Sequence, residues 1–201
     1  MLGNVYGLDL GTYEIKIFDK KKDRIWREKD SIAMKKKRYV YAVGNEAYEM
    51  FEKAPDDIQV IFPMKNGGIA HFDDMQYLLG TLLGSERRFG RGDEYVIAVP
   101  TDVTEVEKKA FYDLVYHSQA RARSVRIVER GLVDALGSGI DVIAEKGIFV
   151  ANFGGGTTEL SVLSEGGMVL NRLMKIGGED FDAAIASLVR RNQDFLIGRL
   201  T

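Results

Sequence analysis

The sequence contains no cysteine and only two histidines, His71 and His117. The first absence excludes disulfides, thiolate catalysis and zinc or iron–sulfur sites with cysteine ligands. Two histidines are too few for a histidine-rich metal centre. No run of about 18 apolar residues is available to span a membrane. A formal charge of −2 leaves no excess of basic residues for bulk nucleic-acid binding, so no nucleic-acid partner is expected.

The overall composition is that of an ordinary globular protein. Of the 201 residues, 45% are hydrophobic and 29% are charged, and this length suffices for one large or two small domains. The N-terminal residues lack a charged segment followed by an apolar core, so no signal peptide is expected and the predicted location is cytoplasmic.

Apolar alternation and turn residues predict both strands and helices before residue 145. A meander of three strands is predicted over Val5–Leu10, Glu14–Asp19 and Arg24–Arg27, and further strands over Tyr39–Val43, Tyr95–Pro100 and Ser124–Glu129. Helices are predicted over Asn45–Lys53, from Asp73 or Asp74 through a leucine stripe, from a capping box of Thr104 and Glu107, and over Gly131–Gly139. The basic run Lys35–Arg38 is interpreted as a solvated turn.

A second unit of similar plan begins near Gly147. Its predicted strands are Gly147–Phe153, Glu159–Leu163 and Met168–Lys175, and a helix with an apolar face follows residues 177–178. The segments Gly7–Ile17 and Phe149–Val162 each place a Gly/Thr loop between two strands, which indicates an internal duplication of supersecondary structure.

The two Gly/Thr loops have the composition of phosphate-binding loops. Glycine lets backbone N–H groups approach a phosphate with no Cβ in the way, and threonine hydroxyls add donors. Residues 11–12 and 154–158 each follow a buried strand, whose late side chains Asp9 and Asn152 could direct an oxygen towards a metal ion. The first loop alone is also compatible with a plain hairpin, but the pair predicts a clamp for a polyphosphate between the two units.

Several longer motifs occur in order along the chain: GLDLGT at 7–12, AVGNEAYEM at 42–50, IFPMKNGGIAHFD at 61–73, VIAVPTDVTEVEKKAF at 96–111, GGGTTELSVLSEGGMV at 154–169, and KIGGEDFDAAIASLVRR through LIG at 175–198. In these motifs the sequence resembles the actin, hexokinase and heat-shock-chaperone ATPase superfamily, and specifically bacterial actins of the MreB type. A chaperone-type or FtsA-like ATPase is the alternative within the superfamily, and the VTEVEKKA stretch favours the MreB type.

The resemblance implies an α/β, actin-like ATPase fold, with a ribonuclease-H-like mixed sheet and flanking helices. It implies a first domain over residues 1–145, with a small insertion around 30–65, and the start of a second, incomplete domain over 146–201. The family's adenosine-binding motif has no counterpart here, and we expect an unfinished second sheet with an exposed edge. A whole protein and a fragment of a longer chain both remain open.

The same resemblance implies that the two loops bind the phosphates of ATP together with Mg²⁺. By match, the nucleotide-binding residues are Asp9, Gly11, Thr12, Tyr13, Asn152, Gly154, Gly155, Gly156, Thr157 and Thr158, and the metal is held at Asp9 and Asn152. Asn152 stands where the family usually has Asp, so the divalent site keeps one of its two carboxylates and weakened Mg²⁺ binding is expected.

The place of the family's water-positioning glutamate is taken by Arg130, and Gly131 stands at the proline that follows it. Arginine cannot accept a proton, and the neighbouring Glu129 points elsewhere unless the register shifts, so slow or absent ATP hydrolysis is expected. With Thr157, these two residues are the candidates for the hydrolytic step. Arg130 is predicted either to pair with the γ-phosphate or to be a surface residue without a role.

As a whole, the resemblance implies a cytoskeletal protein that sets cell shape by forming ATP-dependent filaments at the membrane. Its implied partners are further copies of the chain, the inner face of the cell membrane and the cell-wall elongation machinery. The alternative is a non-catalytic paralogue or truncated module that acts as an interaction protein. Phe89, with Arg87, Arg88 and Arg91, is a candidate membrane contact; the other interpretation is a solvated loop with Phe89 tucked inward.

Overall fold

The computed structural model describes residues 3–36, 38–84, 92–118 and 122–198. The strands are β1 Val5–Leu10, β2 Glu14–Asp19, β3 Arg24–Lys29, β4 Ile32–Lys35, β5 Tyr39–Val43, β6 Ile58–Ile61, β7 Met64–Lys65, β8 Gly68–Ile69, β9 Asp93–Val99, β10 Ala122–Glu129, β11 Ile148–Phe153, β12 Thr158–Ser164 and β13 Gly167–Met174. The helices are α1 Gly44–Glu49, α2 Phe72–Gly84, α3 Glu105–Tyr116, α4 Arg130–Gly137 and α5 Gly178–Gln193.

A five-stranded mixed sheet is the centre of the first unit, with strand order β10-β9-β1-β2-β3. The predicted meander is confirmed, because β1 pairs antiparallel with β2 and β2 with β3. The strands β9 and β10 add in parallel on the other side of β1, each reached through a helical connection. This arrangement brings the carboxyl end of β1 next to that of β9.

The main core lies between one face of this sheet and the helices α2 and α3. Alternate residues of β1 and β2 face it, which is the period of two visible in the sequence. The largest side chains that are fully buried in this core are Phe111, Leu10, Ile15, Ile17, Ile32, Met64, Met75, Leu78, Leu79, Ile97 and Leu114. The helix α2 begins at Phe72, so the predicted cap at Asp73 or Asp74 is wrong; both carboxylates lie in the first turn, where the helix dipole favours them.

The segment between β3 and β7 forms a separate small sheet with strand order β5-β4-β6. Of these strands only β5 was predicted. Lys35 ends β4 instead of lying in a turn, and it is ion-paired with Asp57 at 3.6 Å. The predicted helix over Asn45–Lys53 is shorter than expected and occupies Gly44–Glu49.

The second unit is an antiparallel sheet with order β11-β12-β13, and α4 packs against all three of its strands. A small core of Ala135, Val142, Ile148 and Leu163 lies between them. The outer face of β11 is uncovered, since Phe149 and Phe153 are 65% and 70% exposed. The predicted apolar face of α5 is also open to solvent, where Phe181, Ile185 and Leu188 are exposed.

Within the described ranges, no helix is both long and apolar enough to cross a bilayer. The longest, α5, has 16 residues and carries charges along its length.

Candidate functional site

The two predicted phosphate loops lie against each other. The β1–β2 loop and the β11–β12 loop touch where Gly155 faces Tyr13 and Gly156 faces Thr12. A Cβ at position 155 would lie 2.6 Å from the Cβ of Tyr13, and one at position 156 would lie 3.0 Å from the Cγ2 of Thr12. Glycine is therefore required at position 155 by close approach, although the two segments are far apart in the sequence.

The second loop is held in shape by the start of α5. The amides of Gly178 and Glu179 donate to the carbonyls of Gly154 and Gly155, at 3.0 and 2.8 Å. In a trans peptide the N–H points opposite to the C=O, so the amides of Gly155 and Gly156 point away from α5. Neither amide has an acceptor among the described residues. The loop thus presents two unused donors, which is the requirement for an anion-binding nest.

A third turn supports both loops from the side. The amide of Gly67, between β7 and β8, donates to the Thr12 hydroxyl at 3.1 Å, and Gly67 packs against Thr157. Asp30 holds this turn, because its carboxylate accepts from the Met64 amide at 2.7 Å and its own amide donates to the Tyr13 carbonyl. Asp30 is fully buried, and burial raises the pKa of its carboxyl to about 8.

A cleft with a volume of about 220 Å³ opens between the two loops. The predicted site residues that line it are Asp9, Gly11, Thr12, Tyr13, Arg130, Asn152, Gly154, Gly155 and Thr157. Gly156 is not a lining residue but contacts Thr12, which is. Thr158 and Glu129 are not in the lining: the Thr158 hydroxyl donates to the Ile176 carbonyl at 2.8 Å, and Glu129 is the N-cap of α4.

The floor of the cleft is a charged cluster centred on Asp9. Its Oδ2 accepts from the Lys16 ammonium at 2.8 Å, and its Oδ1 accepts from the Arg130 guanidinium at 3.2 Å. The Arg130 side chain is only 10% exposed, and its buried Nε has no partner among the described residues. Arg130 is thus not a surface residue, and that earlier interpretation is wrong.

Asn152 faces the middle of α4. Its amide nitrogen donates to Asp134 Oδ2 at 2.6 Å. Burial raises the pKa of the Asp134 carboxyl. Asn152 is thus engaged by a protein partner and adds no charge to the cleft.

The polar residues near the cleft that were not predicted include Lys16, Glu14, Asp134 and Glu159. Lys16 could have been found, because it is directly opposite Asp9 in the β1–β2 register and alternates with two buried isoleucines. Asp134 lies in a helix without a motif and gave no signal. Glu159, which is buried and accepts from the Thr101 amide at 2.9 Å, follows the second loop immediately and could have been included with it.

The carboxylates in the cleft lining do not fit Mg²⁺. They are Asp9, which is paired with Lys16 and Arg130, and Glu14, which lies 3.9 and 4.0 Å from basic groups of Arg27 and Lys29. Mg²⁺ is held by carboxylate oxygens together with substrate phosphates and water, and at these carboxylates it would have to compete with the basic groups already paired to them. Across the described ranges, no group of three or more His, Asp or Glu is arranged to hold a metal ion.

The predicted membrane contact of Phe89, Arg87, Arg88 and Arg91 lies outside the described residues.

Comparison with known proteins assigns the chain to a family. Residues 3–201 match the family described as MreB/Mbl protein. The chain is 35% identical to the cell shape-determining protein MreB of Escherichia coli (strain K12), covering all of this chain and 60% of that protein. It therefore spans about 60% of the length of the curated relatives it matches.

Solved structures agree with the sequence comparison. MreB 5 of Spiroplasma citri bound to AMPPNP superimposes with a TM-score of 0.92 at 29% identity, covering 100% of this chain and 61% of that one. A MamK double helical filament has the same fold, with a TM-score of 0.81 at 17% identity over 98% of this chain and 62% of that one. These matches decide against the chaperone-type and FtsA-like alternative and confirm the mixed α/β, actin-like fold. The chain belongs to the MreB/Mbl family of bacterial actins.

Proposed function

We propose that this chain binds the polyphosphate of an adenine nucleotide in the cleft between its two Gly/Thr loops, as a filament-forming bacterial actin. The observation that carries the proposal is the close contact between the loops at Gly155 and Tyr13. The AMPPNP bound to MreB 5 of Spiroplasma citri, which shares the fold, supports the choice of nucleotide.

The chemistry of the cleft suits a polyphosphate. The unused amides of Gly155 and Gly156 are donors for phosphate oxygens, and the hydroxyls of Thr12 and Thr157 add two more. Lys16 is 41% exposed, so it is able to turn from Asp9 towards a bound phosphate. Arg130 is held in place by burial and contributes a fixed positive charge.

Hydrolysis is proposed to be slow or absent. The residue that follows β10 and lines the cleft is Arg130, and its guanidinium cannot take a proton from water. Glu129 is next to it but is not part of the lining. Thr157 is in the lining and is able to orient a water through its hydroxyl, but a hydroxyl is a poor general base at neutral pH. Nucleotide binding without rapid turnover is the expected behaviour.

We propose a cell-shape function by extension from the relatives. The cell shape-determining proteins that the chain matches support it, and the MamK filament supports self-association. In this proposal the protein is cytoplasmic and peripheral to the inner face of the cell membrane, where it acts with the cell-wall elongation machinery. Nucleotide binding would close the two units on each other and so bias the contacts between subunits.

A second candidate is a non-catalytic paralogue that acts as an interaction module. The uncovered apolar side chains of the second unit favour it: Phe153 is 70% exposed on β11, and Phe181 is 50% exposed on α5. Such a surface is typical of a protein that packs against another polypeptide. Saturable nucleotide binding at the loops distinguishes the two candidates, because the interaction module does not require it.

The test is a titration of the purified chain with a fluorescent ATP analogue. The wild type is expected to bind saturably at sub-millimolar ligand, and Gly155→Ala is expected to weaken binding by about tenfold or more, since its Cβ meets Tyr13 at 2.6 Å. Tyr13 cannot easily withdraw, because the Lys29 ammonium lies 3.6 Å from its ring centroid and Tyr48 packs on its edge. Gly80→Ala is the matched control, since a Cβ there meets nothing within 4 Å.

The titration has two outcomes that oppose the proposal. A wild type that shows no saturable binding would remove the nucleotide function. A Gly155→Ala variant that binds as tightly as Gly80→Ala would show that the nucleotide binds elsewhere on the chain.

A further inference from the structure

We propose that this cleft binds a nucleoside polyphosphate without a divalent cation, with Arg130 and Lys16 supplying the positive charge. The inference rests on the proposed nucleotide binding and concerns only what neutralises the phosphates. Its basis is the arrangement of charges on the cleft floor, where protein cations occupy the positions at which a metal would need free carboxylate oxygens.

Asp9 is the carboxylate best placed to hold a metal, and both of its oxygens are in use. The Lys16 ammonium lies 2.8 Å from Oδ2 and the Arg130 guanidinium lies 3.2 Å from Oδ1. The first contact is built into the sheet, since Asp9 and Lys16 are paired in the β1–β2 register. A divalent ion bound here would have to displace both groups or sit beside two positive charges.

Arg130 has more donors than the protein uses. Within the described ranges it donates one hydrogen bond, to Asp9, and its buried Nε–H has no acceptor. Arginine carries a positive charge on a planar group with five N–H donors. A buried donor without a partner costs free energy. A phosphate group offers acceptor oxygens for the guanidinium N–H groups that the protein leaves unpaired.

Asn152, at the other side of the cleft, does not restore a metal site. It is uncharged, and its amide nitrogen donates to Asp134 at 2.6 Å. The remaining acidic side chain in the lining, Glu14, lies 4.0 Å or less from basic groups of both Arg27 and Lys29. Among the described residues, the lining therefore has no carboxylate without a neighbouring protein cation, whereas Lys16 and Arg130 both line the cleft.

The experiment measures the affinity of the complete chain for AMPPNP by calorimetry, once in excess MgCl₂ and once in excess EDTA. We expect dissociation constants within about threefold of each other, a difference smaller than 1 kcal/mol. Binding that is detected with Mg²⁺ and lost in EDTA would overturn this inference and leave the proposed nucleotide function standing. Binding in neither buffer would instead overturn the proposed function.

Two variants give the inference a second test, measured in both buffers. Asp9→Asn frees Arg130 and Lys16 from their carboxylate, so we expect tighter binding with MgCl₂ as well as with EDTA, whereas an essential metal ligand at Asp9 would make the same variant bind more weakly in MgCl₂. Arg130→Gln is expected to weaken binding by about tenfold. Arg24→Gln, on the exposed strand β3, is the matched control and is expected to bind as the wild type does. If Arg130→Gln does not fold, the inference is tested by the affinity of Asp9→Asn and by the wild-type affinities in the two buffers.

Discussion

The buried carboxyl of Asp30 makes the stability of this protein depend on pH. Asp30 is fully buried between the first loop and the turn that begins at Met64, and its Oδ1 has no partner among the described residues. Burial raises its pKa from the ordinary value of 3.8 to about 8, and the negative charge of Glu179 adds to the shift. Folding therefore favours the protonated form of this group.

The sign and size of the effect follow from that shift. Between about pH 4 and pH 8 the native state keeps the Asp30 proton and the unfolded state has released it, so the free energy of unfolding falls as pH rises. The slope is about 1.4 kcal/mol per pH unit, so raising the pH from 5.5 to 7.5 removes about 2.7 kcal/mol. Below pH 4 both states are protonated and this contribution no longer changes.

The perturbation is Asp30→Asn, which keeps an oxygen for the Met64 amide and removes the titration. Urea unfolding at several pH values between 5.5 and 7.5 should give a flatter dependence for the variant than for the wild type. Asp56→Asn removes an exposed carboxylate and should leave the wild-type slope unchanged. A variant slope equal to that of the wild type would refute the reasoning, because it would show that Asp30 is already ionised in the folded protein.

Three further predictions concern stability and are checked by urea unfolding. Thr104→Ala removes the side chain that caps α3 by accepting from the Glu107 amide, and should lower the free energy of unfolding by about 1 kcal/mol. No measurable change would mean that water satisfies the Glu107 amide equally well in the variant. Phe111→Ala opens a cavity in the main core and should cost about 3–5 kcal/mol, and a loss below 1 kcal/mol would contradict the core assignment. Gly131→Ala places a Cβ 2.3 Å from Ser161 Oγ and should cost about 1–3 kcal/mol, whereas a stabilised variant would contradict the close packing of α4 on β12.

Local sequence patterns predict several strands and helices of the first unit. The alternation in Val5–Leu10 and Glu14–Asp19 predicts both strands with their observed bounds, because one face of each packs on the core. The capping box at Thr104 and Glu107 is present as predicted. The strands β4 and β6 were missed because they are four residues long and are stabilised by pairing with each other, a contact that no local pattern records.

Part of the candidate site could be predicted from the sequence. The glycines and threonines of the two loops are a compositional signal, and the structure brings both loops to one cleft. The ion pair of Asp9 with Arg130 joins residues 121 positions apart and depends on how α4 follows β10, so the sequence alone left Arg130 open between a phosphate ligand and a surface residue. The buried Asp30 had no signal, since its carboxyl is defined only by the turn that folds over it.

The most direct test of the two-loop cleft is a map of amide resonances in a ¹⁵N-labelled sample titrated with AMPPNP. If the polyphosphate lies between the loops, the amide of Gly155 should shift most, because it is an unused donor in the cleft lining. The amides of Gly156, which is also an unused donor, and of Thr12, which it contacts, should shift next. Saturable binding with unchanged resonances at Gly155 and Gly156 would contradict the proposal that these loops hold the nucleotide.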